Sequence, residues 1–191
     1  MVKVARSPVY QLKVSLKGSK PPIWRRLLVP SAVSLAQLHR VLQLAMGWTD
    51  SHLHQFEVHG QFYRVPDPEF GKGTKNEARV RLADVLTREK DGMTYEYDFG
   101  DGWEHKIVLE KILETHETPA VPRCIGGARA CPPEDCGGVW GYMELLAALR
   151  DPSHESHDEM REWLGEDFDP EHFDVGETDA LLASLRARVK P

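Results

Sequence analysis

Residues 115–138 divide this chain of 191 residues into parts that must fold differently, because the segment holds all three cysteines among a concentration of Pro and Gly. It has neither helix nor strand periodicity and reads as an irregular crossing. Upstream, apolar positions mostly alternate; downstream, they recur at helical spacing. The pattern predicts an α+β protein folding as a single domain over 1–191. A sheet-rich part spans 1–114, a Pro/Gly/Cys loop 115–138 and a helical part 139–191.

In the first part, Tyr10, Leu12, Val14 and Leu16 share one face of a half-buried strand. Gly18 and Pro21-Pro22 break the chain before a second strand at 23–29, expected to pair antiparallel with the first. Ser34 opens a helix with a capping box to Gln37; its stripe of Leu35, Leu38, Val41, Leu42, Ala45 and Met46 closes at Gly47. A hairpin is predicted over 53–65 around His59-Gly60, then a mobile loop at 66–79 and a helical turn at 82–86. Strands at 94–99 and Trp103–Leu113 form a second hairpin turned by Gly100-Asp101-Gly102. Beyond the loop, helices are expected at 140–150, at 156–164 with Ser156 as cap and Glu159 three residues on, and at 178–189 with Leu181, Leu182 and Leu185 buried.

Charge is graded along the chain. The net charge of -6 resolves into 9 Lys/Arg against 2 Asp/Glu in residues 1–66, 8 against 11 in 67–112, and 7 against 17 in 113–191. A basic stretch such as KGSKPPIWRR suits phosphate, but an acidic last third folded against it cancels its field. With 41% hydrophobic and 28% charged residues, wholesale disorder is excluded. No run of 18 apolar residues exists and the start lacks a secretory pattern, so a cytoplasmic protein with no membrane partner is expected, its odd number of cysteines reduced. Walker loop, dinucleotide fingerprint, nucleophile elbow and HExxH motifs are all missing.

Several clusters bear chemistry. Cys124, Cys131 and Cys136 lie close enough in sequence to ligate zinc with a fourth donor from His105, His154 or His157; lacking paired C-x-x-C spacing, they read better as small apolar side chains under a turn. Glu134-Asp135, just ahead of a helix, suit its positive end. Asp98 and Asp101 flank the Gly-rich turn, where an Asp bonds its own backbone, and His105 shares a strand face with Trp103, Ile107 and Leu109. In an extended strand His52 and His54 point the same way, the geometry of a metal or proton-transfer pair; a strand that starts only at Leu53 leaves His52 in a loop. Joined to Asp98, Asp101 or His105, the pair makes a His/carboxylate site for a divalent metal. His154 and His157 with their acidic neighbours read as a solvated helix start.

The strings IWRRLLVP, LHRVLQLAMGWTDSHLHQFEV, YEYDFGDGWEHKIVLE, CIGGARACPPEDCGGVWGY and DPSHESHDEMREWLGEDFDPEHFD together resemble the plasmid pRiA4b ORF-3-like family over nearly the whole chain. That resemblance implies an α/β roll, a curved mixed sheet with a helix against it and a helical C-terminal part, in a protein of bacterial or plasmid type. It assigns no catalytic role to any motif position.

Three functional readings follow. The first is a non-enzymatic binding or interaction module meeting a protein or nucleic-acid partner, with Trp24, Arg25, Arg26, Glu134 and Asp135 as candidate binding residues. The second is a metal-dependent hydrolase or nuclease. Its candidate catalytic residues are His54, Asp98, Asp101 and His105, and its candidate ligands for a divalent metal such as zinc are His52, His54, Cys124, Cys131 and Cys136. The third is nucleic-acid binding through Lys13, Lys17, Lys20, Arg25 and Arg26.

Overall fold

The computed structural model describes residues 7–67, 73–114, 121–165 and 168–186. Among these, eight strands form one curved, unclosed sheet accompanied by five α-helices. In chain order the elements are β1 (Val9–Leu16), β2 (Trp24–Pro30), α1 (Leu35–Met46), β3 (His54–Val58), β4 (Gln61–Arg64), β5 (Lys75–Asn76), α2 (Leu82–Val85), β6 (Gly92–Tyr97), β7 (Trp103–Leu113), β8 (Arg123–Ala128), α3 (Gly138–Arg150), α4 (His157–Leu164) and α5 (Val175–Arg186). A 3-10 turn, Glu77–Arg79, follows β5. Across the sheet the order is β5-β4-β3-β6-β7-β1-β2-β8, antiparallel except for the β4/β5 pair.

Alternation accounts for most of this. Leu12, Val14 and Leu16 of β1 are buried on the face that receives α1, whose stripe from Leu35 to Met46 seals the core. Ser34 accepts from the Gln37 N–H while Gln37 Oε1 accepts from the Ser34 N–H, which is the predicted capping box. Gly47 closes the helix in the left-handed region at φ 83°. The hairpin around His59-Gly60 and the one around the G-D-G turn both form.

Four expectations need correction. The loop at 66–79 contains β5 and the 3-10 turn, with 68–72 outside the described residues. Within 115–138, β8 pairs antiparallel with β2, so the crossing supplies an edge strand. Gly126 and Gly127 look like turn residues in sequence, yet they lie in this strand, where the Phe173 ring leaves Gly127 no room for a side chain. A Cβ on Gly127 would meet the Phe173 ring at 2.4 Å, and Gly126 faces the Trp24 ring. Ser156 precedes α4 but its side chain caps nothing there. Finally, α5 is rotated: Thr178, Leu182 and Leu185 are buried while Leu181 is 51% exposed. Asp179 sets that rotation by accepting from the Cys124 N–H at 3.1 Å and the Arg186 guanidinium at 2.6 Å, which pins the helix to β8. Positions 187–189 of the expected helix lie outside the described residues.

Candidate functional site

One corner of the sheet brings together three chemistry-bearing segments: the loop at 48–53, the β6–β7 turn and the loop at 132–137. Trp48 Nε1 donates to the Pro132 carbonyl at 2.9 Å, and Asp101 accepts from the Gly137 N–H at 3.2 Å, so the last loop is fastened to both others. The fit is close. A Cβ on Gly138 would lie 2.3 Å from the Asp101 carbonyl oxygen, and one on Gly141 1.9 Å from that of Cys136.

Within this corner Asp98 takes a left-handed backbone at φ 58° and its Oδ1 accepts from the Gly100 N–H at 3.0 Å, the turn chemistry its position predicts. Its other oxygen lies 3.7 Å from His52 Nδ1, and His52 Nε2 lies 3.3 Å from Asp135. One donor atom from each of His52, Asp98 and Asp135 falls within 4.8 Å of the others. Glu134 accepts from the hydroxyls of Tyr97 and Thr49. Burial and then the hydrogen bond to Glu134 push the Tyr97 hydroxyl pKa up, so it stays a donor. Neither Glu134 nor Asp135 caps α3; Asp101 meets its first turn instead.

His54 points elsewhere. Strand β3 begins at His54, leaving His52 in the preceding loop, so the two side chains diverge. His54 Nε2 lies 2.8 Å from buried Glu77, and its ring stacks on His39 with centroids 3.5 Å apart. His39 contacts Asp50 at 2.7 Å and the Tyr95 hydroxyl at 2.8 Å. A metal shared by these rings is disfavoured in this arrangement, because parallel imidazoles stacked at this spacing cannot both aim in-plane lone pairs at one ion.

His105 is fully buried between Trp48 and Tyr95, its ring nitrogens without a well-formed hydrogen bond among the described residues. Burial pushes its pKa down to about 4, leaving a neutral core residue. Its position removes it from the corner. Nor do the cysteines assemble, since neither potential ligand cluster among the described residues contains one. Cys124 lies in β8, Cys131 accepts from Arg25 Nη2 at 3.2 Å, and Cys136 borders α3. Burial pushes Cys131 up to about 11, and burial with the Asp101 charge pushes Cys136 up to about 12, so both are thiols in the protein as it stands.

The basic start is largely engaged internally. Arg25 is buried, donating to the carbonyls of Ala45, Trp24 and Ala128. Arg26 makes a two-pronged pair with Glu110, while Lys13 and Arg26 flank the Trp24 ring. Lys17 pairs with Glu104 at 2.7 Å.

Beside the corner, α3 and α4 enclose a groove of about 580 Å³. Leu145, Ala148, Met160 and Trp163 give it apolar walls, and Asp135, Glu144, Glu159 and Glu162 line it with negative charge. No residue of α4 is buried, and Trp163 is 49% exposed. His154 and Cys136 share the groove, as proximity of 151–160 to the cysteine loop would require.

A model of the family described as plasmid pRiA4b ORF-3-like protein matches residues 8–177. The chain belongs to the plasmid pRiA4b ORF-3-like family. It is 41% identical over 182 residues, 94% of this chain and 93% of the relative, to the uncharacterized protein y4hQ of Sinorhizobium fredii (strain NBRC 101917 / NGR234). The fold is shared with the crystal structure of the protein of unknown function MM3350 from Methanosarcina mazei Go1, at a TM-score of 0.82 and 41% identity, covering 90% of this chain and 98% of that one.

Sequence reasoning missed His39, Glu77 and the α3–α4 groove. Glu77 was hidden in a charged loop and His39 at the edge of an apolar stripe. Trp163, a large apolar residue among charged ones on a short helix, was the signal available for the groove.

Proposed function

We propose that this protein is an interaction module whose α3–α4 groove receives a basic, amphipathic helix of a protein partner. The observation that carries this is α4 itself: a helix whose Met160 and Leu164 are only partly buried against the core and whose Trp163 is exposed. An amphipathic helix is stable when its apolar stripe is covered, and here the groove leaves that stripe half open. Residues 138–164 hold six acidic groups against Arg150 and Arg161, so the surface favours a cationic occupant and repels a nucleic-acid backbone. Asp135 and Cys136 extend the groove to the PPED loop.

A fluorescence-anisotropy titration tests the reading with a labelled peptide of about 16 residues, Leu and Phe at i, i+3, i+4 spacing and Lys elsewhere. Saturable binding in the micromolar range, weakened by salt and by Glu159→Lys with Glu162→Lys, is expected. Equal binding of a peptide with Glu in place of Lys, or no binding, overturns it.

The His52/Asp98/Asp135 cluster favours a second reading, a divalent-metal site with hydrolytic chemistry. The three side chains offer a nitrogen and two carboxylate oxygens, a donor set that suits zinc or manganese, and the metal would supply a polarised water. Calorimetric titration with Zn²⁺ and Mn²⁺ should show near-stoichiometric binding lost on Asp98→Asn; heat that persists in that variant, or none in the parent, removes this reading.

A further inference from the structure

A second cavity, of about 430 Å³, opens beside β3 and is lined by Asp50, His52, Leu53, His54, Arg64 and Phe99 among others. Three large apolar side chains left exposed by the fold, Leu53, Val65 and Phe99, surround it. A scattered exposed apolar residue is ordinary, but three around one cavity form a surface made for an apolar body. Arg64 is the cation of this cavity. Its Nε is buried with no hydrogen-bond partner, and the guanidinium makes no ion pair among the described residues. The guanidinium lines the cavity without an anionic partner among the described residues, and a carboxylate in the cavity would supply one.

The acids lining the cavity do not meet this need. Asp50 is held by His39 at 2.7 Å, and Asp67 has an interaction of its own. At one wall, His54 is oriented by Glu77 through Nε2. We infer that this cavity binds a small organic acid: its carboxylate on Arg64 and its apolar body against Leu53, Val65 and Phe99. The size is at the lower end of small-molecule sites, which suits a compact monoacid.

The test is calorimetry and protein NMR with benzoate, phenylacetate and hexanoate, each compared with its neutral amide. Expected is saturable binding of at least one acid with a dissociation constant below about 1 mM, at least tenfold tighter than its amide. Arg64→Gln should weaken the acid at least tenfold without changing the amide, and Phe99→Ser should weaken both. The comparison of acid with amide in the unmodified protein stands even if a variant folds poorly. Failure of all three acids to saturate at about 10 mM, equal affinity for acid and amide, or an unchanged constant in a folded Arg64→Gln variant overturns the inference. Loss of the groove through Glu159→Lys with Glu162→Lys should leave acid binding intact, so the two sites are judged separately.

Discussion

The imidazole rings of His39 and His54 lie face to face, their centroids 3.5 Å apart and their planes 2° from parallel. Burial first, and then the neighbouring His54, lowers the pKa of His39. His105 is lowered further, to about 4, by complete burial. A histidine whose folded pKa lies below its ordinary 6.5 binds fewer protons folded than unfolded in that interval, so stability rises with pH there. The protein should therefore lose stability as pH falls from 6.5 towards about 4, with His105 alone responsible for roughly 3 kcal/mol. Urea unfolding across this window measures it. His105→Phe, which keeps an aromatic ring between Trp48 and Tyr95, should flatten the slope; an unchanged slope would show that His105 is not the buried neutral group.

The corner where Asp101 meets α3 allows no extra atom. Gly138→Ala and Gly141→Ala place a Cβ at 2.3 Å and 1.9 Å from backbone oxygens, and Gly138 also has φ 69°. Each should cost about 2–4 kcal/mol. Gly126→Ala, whose nearest neighbour is the Trp24 ring at 3.7 Å, should cost no more than about 1 kcal/mol. Chemical-denaturation midpoints rank the three.

Arg25 serves the interior. Arg25→Met should destabilise by about 3 kcal/mol or more, since three carbonyls and the Cys131 sulfur lose their donor. The exposed Lys20→Ala should change stability by less than about 0.5 kcal/mol. Thermal unfolding of both variants distinguishes an internal strut from a surface cation. If Arg25→Met melts like the parent and loses nucleic-acid binding, the basic strand has the external role instead.

How much of this was legible in the sequence depended on whether a residue's neighbours were near in the chain. Strands β1, β2, β6 and β7 were readable because Tyr10, Leu12 and Val14, or Trp103, Ile107 and Leu109, alternate locally. The capping box of Ser34 and Gln37 is likewise local. Strand β8 was not readable, since Gly127, which breaks local propensity, is required by Phe173, more than forty positions away. The pair His52/His54 turned on where β3 begins: a start at His54 sends one ring to Asp98 and Asp135 and the other to Glu77. Glu134 and Asp135 read as helix-capping acids, but their partners Tyr97, Thr49 and His52 belong to segments that only the folded sheet brings alongside.

The claim that α3 and α4 form a receiving surface is tested most directly by amide hydrogen exchange with and without saturating basic amphipathic peptide. Protection is expected in α3, in α4 and at residues 135–136, and largest in α4, whose residues are all incompletely buried in the free protein. Protection confined to β2 and β8, or an unchanged pattern at saturating peptide, would contradict the account.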